Sequence, residues 1–371
     1  MSCSACEALP VLPQGPGRLF LWLPIPHSHR KLLTALAADA VKAEPSADQG
    51  IRALENLGLV IPIRGKRLQP TLERIAGILA AEEMHASRAL FLPGETQPRW
   101  QDCGRVEPLP QLLHRAQAEL LLQVLTENRL TSYFQPIVCA RDPGQVVAHE
   151  ALMRGMEADG KVVSPGPLFA MARQAHLIYQ LDLAARRTAI QVATQQNLEG
   201  DLFINFNPTA IYDPAFCLRS TVWAITRSGI PPERVVFEVN ESDRSPDIQH
   251  LQEILRFYRE VGFRVALDDL GAGYASLNLI HQLHPDLIKL DMQLIRGVDQ
   301  DPYKAIIAQK ILELAQSLGI TTVAEGVETP EELQWVQEHG VDLVQGFLIG
   351  KPAPTPVRQN WPQDAGILPP G

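Results

Sequence analysis

The stretch "RVALDDLGAGYASLNLI", residues 264–280, decides how this chain is read. Val265, Ala266 and Leu267 read as a short buried strand. Two adjacent carboxylates follow, Asp268 and Asp269, and then a glycine-containing loop, Gly271-Ala272-Gly273. Like charges side by side at a strand end repel one another, so such a pair needs a positive partner. A single acidic residue in that place is usually a helix N-cap or half of a salt bridge. The pair gains meaning only from what the rest of the chain sets beside it.

On either side of that strand, apolar segments alternate with amphipathic helices. The segments are "TSYFQPIV" (131–138), "QVVAHEALMR" (145–154), "DLFINFNP" (201–208), "RVVFEVNE" (234–241), "RVALDDL" (264–270), "DLIKLDM" (286–292), "TTVAEGVE" (321–328) and "DLVQGFLIG" (342–350). Eight strands in about 245 residues is the size of a TIM-type (β/α)8 barrel. The first two strands are joined by the short turn "CARDPGQ" (139–145), too short for a crossover helix. The first strand is therefore expected to run antiparallel to its neighbour. The fold class is α/β: a modified barrel with an antiparallel first strand.

Seven of these strands carry a chemical side chain in their second half: Glu150, Asn205, Glu238, Asp268 with Asp269, Lys289, Glu325 and Gln345. Most recur once per strand–helix unit. In a parallel barrel those strand ends meet at one mouth, where active sites lie. Five carboxylates gathered there need cations, and Mg²⁺ and Mn²⁺ prefer oxygen ligands. Asp268 is placed to bridge two ions, with Asp269 serving the second. Ions ~3.5–4 Å apart activate water and stabilise both oxygens of a phosphoryl displacement. Lys289 fits as the residue that orients the attacking water and is a candidate to deprotonate it.

The whole chain has 371 residues, enough for two domains. Its 46% apolar and 20% charged residues are an ordinary globular balance, and its net charge of −9 argues against a general nucleic-acid or anionic-membrane partner. A phosphorylated ligand stays possible, because bound metal ions reverse the local field. Five cysteines form no disulfide framework and suit a reducing, cytoplasmic setting. No signal-peptide pattern and no spanning apolar run are expected.

The first ~105 residues differ in texture and are expected to form a small α/β or α+β module of unknown role, with a regulatory or sensory function as one reading. "RLFLWLPIP" (18–26) reads as a strand, "HRKLLTALAADAVKA" (29–43) and "PTLERIAGILAAEEMHA" (70–86) as helices, and "LGLVIPIRGKRL" (57–68) as a strand pair or a strand and turn. "FLPGETQPRWQDCGRVEPLPQ" (91–111), rich in proline and glycine, reads as a linker. "LHRAQAELLLQVLTEN" (113–128) reads as a helix. The expected division is 1–105, 106–357 and a tail at 358–371. Cys3 and Cys6 form a Cys-x-x-Cys without a second pair at zinc-finger spacing. An unanchored terminus is one reading of it; a metal or redox pair with Cys103, His27 and His29 is the other.

By its motifs the segment of about 112–357 resembles the EAL-domain cyclic di-GMP phosphodiesterases. "HEALMRG" (149–155) carries the Glu-Ala-Leu signature, and "FQPIV", "INFNP", "FEVNES", "LDDLGAGYASL", "IKLD", "VAEGVET" and "VQGFLIGKPAP" resemble that family's other motifs in order. The resemblance implies hydrolysis of cyclic di-GMP to linear pGpG with two Mg²⁺ or Mn²⁺ ions, and inhibition by Ca²⁺. It implies that Glu150, Asn205, Glu238 and Asp268 hold the first ion, and that Asp268, Asp269 and Glu325 hold the second. Lys289 and Gln345, with Glu325 counted among the catalytic groups, would handle the water. Gln135, Leu152, Arg154 and Asp291 would contact substrate, Arg154 at phosphate. Glu241 and Glu328 would steady the loop after Asp269. A homodimer through the helix and loop following Asp269 is implied as well. The family commonly has Thr where Asn240 stands, Ser where Asn207 stands, and Phe-Gly-Thr-Gly where this chain has Leu270-Gly271-Ala272-Gly273. These departures remove no metal ligand. A cyclic di-GMP receptor that signals through its N-terminal module is the competing expectation.

Overall fold

The computed structural model describes residues 9, 15–40, 51–54, 58–65, 67–94, 97–240, 248–271 and 276–358. Cys3, Cys6, Glu241, Ala272, Gly273 and the tail from 359 lie outside them. Contacts group the chain into two compact units. One holds Leu9–Asn128 and Gly166–Leu177, and the other holds Arg129–Pro165 and the chain from Ile178.

The first unit is built on an antiparallel sheet of β1 (Gly17–Trp22), β2 (Arg52–Leu54), β3 (Gly58–Ile63), β4 (Arg88–Pro93) and β5 (Glu107–Pro108), in the order β2-β3-β1-β4-β5. A helix, Pro26–Ala40, joins β1 to β2, and the helices Leu68–Ile78 and Ala81–Ala86 join β3 to β4. This is the βαββαβ order of ferredoxin-like modules, extended by β5. Leu19, Leu21, Ile61 and Phe91 of the sheet pack with Leu32, Leu72, Ile75 and Leu112 of the helices. The helix expected over 70–86 is interrupted at Ala80, whose backbone is extended (φ −72, ψ 163) and whose N–H donates to Glu83 Oε2 at 2.7 Å.

The linker expected at 91–111 is corrected. Phe91 and Leu92 lie buried in β4, and a short 3-10 helix (Trp100–Arg105), β5 and the helix Leu109–Gln117 follow. Four buried residues in succession, Ala89 to Leu92, outweigh the proline and glycine that follow them. The helix expected over 113–128 is two, Leu109–Gln117 and Glu119–Thr126, and both group with this unit.

The second unit is a closed barrel. Its strands are β6 (Leu130–Cys139), β7 (Asp142–Met156), β9 (Asp201–Asn205), β10 (Val235–Asn240), β11 (Arg264–Leu270), β12 (Leu287–Leu290), β13 (Thr321–Ala324) and β14 (Leu343–Val344), with β8 (Val162–Val163) paired outside on β7. All eight expected strands are present. β6 runs antiparallel to both β7 and β14, and the other barrel neighbours are parallel. The two-residue connection from Cys139 to Asp142 forces this reversal, because a parallel return needs a crossover of a dozen residues or more.

The barrel interior is packed rather than open. Ile137, Ala148, Phe203, Val236, Ala266, Leu287 and Val323 form an apolar cluster, with Leu343 against it. Each barrel strand contributes one of these residues. A second cluster, including Phe237, Tyr258 and Phe263, fills the space between strands and outer helices. Tyr258 stacks on Phe237 with ring centroids 4.1 Å apart. No helix among the described residues is long and apolar enough to cross a membrane.

Candidate metal centre

Side chains alternate across a strand, so residues two apart share a face. Counting two residues toward the mouth from each member of the apolar ring gives Glu150, Asn205, Glu238, Asp268, Lys289, Glu325 and Gln345. On the antiparallel β6 the count runs backward, from Ile137 to Gln135. The eight inward positions of the next layer are therefore all polar. Gln135, Glu150, Glu238, Asp268, Lys289 and Gln345 are buried there. The strand pairings level them: Gln135 opposes Glu150, and Asn205 opposes Glu238.

Asp269 is the exception that the alternation rule exposes. Next to Asp268 on an ordinary strand, it would point out of the barrel. Its backbone is instead left-handed, φ 57, and the β11–β12 register shifts between Leu267 and Leu270. A bulge of this kind re-aims a side chain. Ligand oxygens of Asp268, Asp269 and Glu325 then lie within 4.8 Å of one another. Asn240 Nδ2 donates to Asp269 Oδ2 and fixes the turned carboxylate.

Two glycines set the last two members of the layer. Gly326 has φ 68, and a Cβ there would sit 2.4 Å from Met292 Cβ. A Cβ on Gly346 would sit 2.1 Å from the carbonyl oxygen of Val327. Only glycine lets these backbones close up and hold Glu325 and Gln345 in place.

Lys289 stands at the centre. Its Nζ lies 2.6 Å from Glu238 Oε1, 2.7 Å from Glu325 Oε1, 3.1 Å from Asp268 Oδ1 and 3.6 Å from Glu150 Oε2. Asn205 Nδ2 donates to Glu150 Oε1 (2.7 Å) and Glu238 Oε2 (3.0 Å), and Gln345 Nε2 donates to Glu150 Oε2 (2.8 Å). Burial opposes the lysine's charge, but Asp268, Glu150, Glu238 and Glu325 outweigh it and raise its pKa well above the usual value. Surrounded by these carboxylates, the Lys289 amine is held as the ammonium. Burial raises Glu238 and Asp268, and neighbouring carboxylates add to the effect. Glu325 is pushed up to about 8, by burial first and then by Asp268 and Glu150, against Lys289. Burial and Asp268 push Asp269 up to about 6. Glu150 alone is held low: burial works against it, but Lys289, Gln345 and Asn205 prevail.

The donor set fits divalent cations. Five carboxylates against one ammonium leave four negative charges, which two divalent ions would match. Glu238 Oε1 and Asp268 Oδ1 are buried against the Lys289 ammonium, at 2.6 and 3.1 Å, and a divalent cation would compete with it for these oxygens. Rotation of the Asn205 amide presents its oxygen to the same place.

The remaining expected residues are distributed as follows. Arg154, on β7, lies over the Tyr133 ring at 5.1 Å and donates to the Met153 carbonyl (2.8 Å). Leu152 opposes Tyr133 across the β6–β7 pair. Gln135 Nε2 donates to the Gly350 carbonyl (3.2 Å). Asp291 caps the short helix Met292–Ile295, accepting from the Gln293 N–H at 2.8 Å. Glu328 pairs with Arg296, and both side chains are partly exposed. Sequence reasoning gave no role to Tyr133, the platform beneath Arg154. Its spacing two residues before Gln135 was the available signal.

The EAL domain family profile matches residues 117–352. A curated relative, "Probable cyclic di-GMP phosphodiesterase PdeG" of Escherichia coli, is 33% identical over 244 residues, 63% of this chain and 46% of that protein. The chain thus spans about half the length of that relative. A standalone EAL protein from Vibrio cholerae, solved in its c-di-GMP-bound form, is 36% identical, with a TM-score of 0.55 over 60% of this chain and 92% of that one. The Bacillus subtilis YkuI protein, solved with c-di-GMP and calcium, is 26% identical, with a TM-score of 0.56 over 64% of this chain and 60% of that one. The profile begins ahead of β6 and runs past β14, taking in every strand of the barrel: the chain belongs to the EAL domain family.

Proposed function

We propose that this chain hydrolyses one phosphodiester bond of cyclic di-GMP, giving linear pGpG, with two Mg²⁺ or Mn²⁺ ions at the barrel mouth. One observation carries the reading: eight strands each contribute one inward polar group to a single layer, and with Asp269 turned into it that layer gathers five carboxyl groups around one ammonium. Glu150, Asn205, Glu238 and Asp268 would hold one ion, and Asp268, Asp269 and Glu325 the other. Bound divalent cations would supply charge neutralisation and acidify water.

The chain's own groups do the rest. Lys289 and Gln345 direct N–H donors into the layer and orient the water. Arg154 presents a planar fork suited to a phosphate, held by its position over Tyr133. The names of PdeG and of the c-di-GMP-bound Vibrio protein support the substrate. YkuI, solved with calcium, supports a cation at such a mouth; the choice of Mg²⁺ or Mn²⁺ rests on the all-oxygen donor set. Asp291 and Gln135 are assigned to substrate contact, with Leu152 beside Arg154. Glu328 and Glu241 are assigned to the surroundings of the Asp269 loop.

Exposed Leu277 on the helix Ser276–Leu283, and exposed Tyr303, Ile306 and Ile307 on the helix Pro302–Leu318, support a homodimer through the barrel. The low cysteine count supports a cytoplasmic setting. We assign the ferredoxin-like unit a regulatory role. The test is incubation of the purified chain with cyclic di-GMP and Mn²⁺ or Mg²⁺, followed by chromatography. pGpG is the expected product, and folded protein that binds the nucleotide but releases none overturns the enzymatic reading. That outcome would favour a receptor signalling through the N-terminal unit.

A further inference from the structure

The helix Ile178–Gln195 carries an ion pair that the metal centre itself does not use. Asp182 and Arg186, one turn apart, are both buried, with Arg186 at 0% exposure. Arg186 Nε and Nη2 reach Asp182 Oδ2 at 2.9 and 2.8 Å, and Nη1 donates to Thr221 Oγ1 at 2.7 Å. A buried pair of this kind is weak evidence of stabilisation, because the desolvation of both charges opposes it. Its geometry shows what it holds. The other Asp182 oxygen, Oδ1, accepts the backbone N–H of Asn207 at 2.8 Å.

Asn207 lies two residues beyond Asn205. Between them, the Phe206 N–H donates to the Glu238 carbonyl at 3.1 Å. The Asn207 side chain is itself engaged, accepting from Thr209 N (2.9 Å) and Thr209 Oγ1 (2.6 Å). The chain leaving β9 is thus gripped from both sides, by β10 at Phe206 and by Asp182 at Asn207. Asn205 sits immediately before that grip, and its amide spans Glu150 and Glu238.

We propose that Asp182 is a positioning residue for the metal centre: it fixes the turn at Phe206–Asn207 and through it the placement of the Asn205 amide, while Arg186 holds the Asp182 carboxylate aimed at Asn207. The inference rests on the reading of Asn205 as a cation ligand. Side chains outside the ligand shell that orient a ligand commonly change metal affinity 10–100-fold when lost.

Two double variants separate positioning from packing. Asp182→Leu with Arg186→Met removes both charges, so no lone charge stays buried, and removes the acceptor for the Asn207 N–H. Asp182→Asn with Arg186→Met also removes both charges but leaves a carbonyl acceptor. Calorimetric titration with Mn²⁺ should show about tenfold or weaker binding for the first and a change within about threefold for the second. For cyclic di-GMP, kcat should fall in the first with KM nearly unchanged. Wild-type Mn²⁺ affinity in the Leu variant, or equal losses in both, overturns the proposal. If the Leu variant does not fold, hydrogen exchange in wild-type protein decides. Mn²⁺ should then slow exchange in residues 180–188 together with 203–209, and slowing confined to 203–209 overturns the coupling. Failure of wild-type protein to bind Mn²⁺ would instead sink the metal reading and this inference with it.

Discussion

Two rings of side chains lie one above the other inside the same barrel, on the same strands and the same face. The lower ring, from Ile137 through Val236 and Ala266 to Leu343, is apolar and closes the core. The upper ring, two residues further along each parallel strand, is polar throughout and overloaded with negative charge. Neighbouring layers with one backbone geometry have opposite chemistry. The lower ring makes the barrel stable, and the upper ring spends part of that stability on the centre proposed to hold cations.

Exchanging the character of the rings should give the largest effects. Glu150→Ala or Asp268→Ala should lower turnover on the order of 10³-fold or more. Metal-free Asp268→Ala should melt at or above the wild-type temperature, because a repelling charge has gone. Glu150→Ala should melt below it, because Lys289, Gln345 and Asn205 lose their shared partner. Val236→Asp puts a carboxylate into the lower ring, where Val236 is fully buried. It should cost about 3–5 kcal/mol by denaturant unfolding. If Val236→Asp is tolerated and Asp268→Ala unfolds the chain, the division of labour between the rings is reversed.

A backbone change that leaves every ligand in place comes next. Gly346→Ala places a Cβ 2.1 Å from the Val327 carbonyl oxygen. It should destabilise by about 2–3 kcal/mol and reduce turnover by displacing Gln345, as read by melting and initial rates. An unperturbed Gly346→Ala enzyme would show that the upper ring tolerates displacement.

The pH dependence follows from Glu325, held at about 8 against its ordinary 4.5. A carboxyl raised in the folded state binds protons more readily there than in the unfolded chain. Its contribution is full below pH 4.5 and is lost as pH rises through about 8. Asp269, raised to about 6 from 3.8, adds to the loss at lower pH. His149, held at about 4 by burial against its ordinary 6.5, acts in the opposite sense as pH falls, so the clean window lies above 6.5. Metal-free protein should lose about 2 kcal/mol of unfolding free energy between pH 6.5 and 8.5, and saturating Mg²⁺ should flatten the curve. A flat metal-free curve would mean that the upper ring is not under charge strain.

The smallest effect belongs to the rim. Tyr133→Ala removes the ring beneath Arg154 and should raise KM about 2–5-fold with kcat little changed, corresponding to about 0.5–1 kcal/mol of cation–π contact.

Much of this was legible in the sequence because a period of two and a strand–helix repeat together place distant residues in one layer. All eight strands and seven members of the upper ring follow from those two rules, whereas Gln135, on the reversed strand, is reached only through the family resemblance. The left-handed turn at Asp269 does not, because nothing in "LDDLG" separates a bulged pair from a straight one. The grip of Asp182 on Asn207 was equally hidden, since a lone Asp four residues before an Arg looks like an exposed helix pair. The linker reading of 91–111 failed because prolines at Pro93 and Pro108 sit at strand ends rather than between elements, where their missing N–H costs little.

The meeting of eight strands at one layer has a consequence for fragments of this chain. No contiguous piece carries a working centre, since each barrel strand brings one member. β6, the first barrel strand and antiparallel to both its neighbours, closes the ring by pairing with β7 on one side and with β14, the last strand, on the other. Any cut or truncation that leaves the cylinder open leaves the centre incomplete in the same act, so an assembled polar layer in this molecule is a report on ring closure.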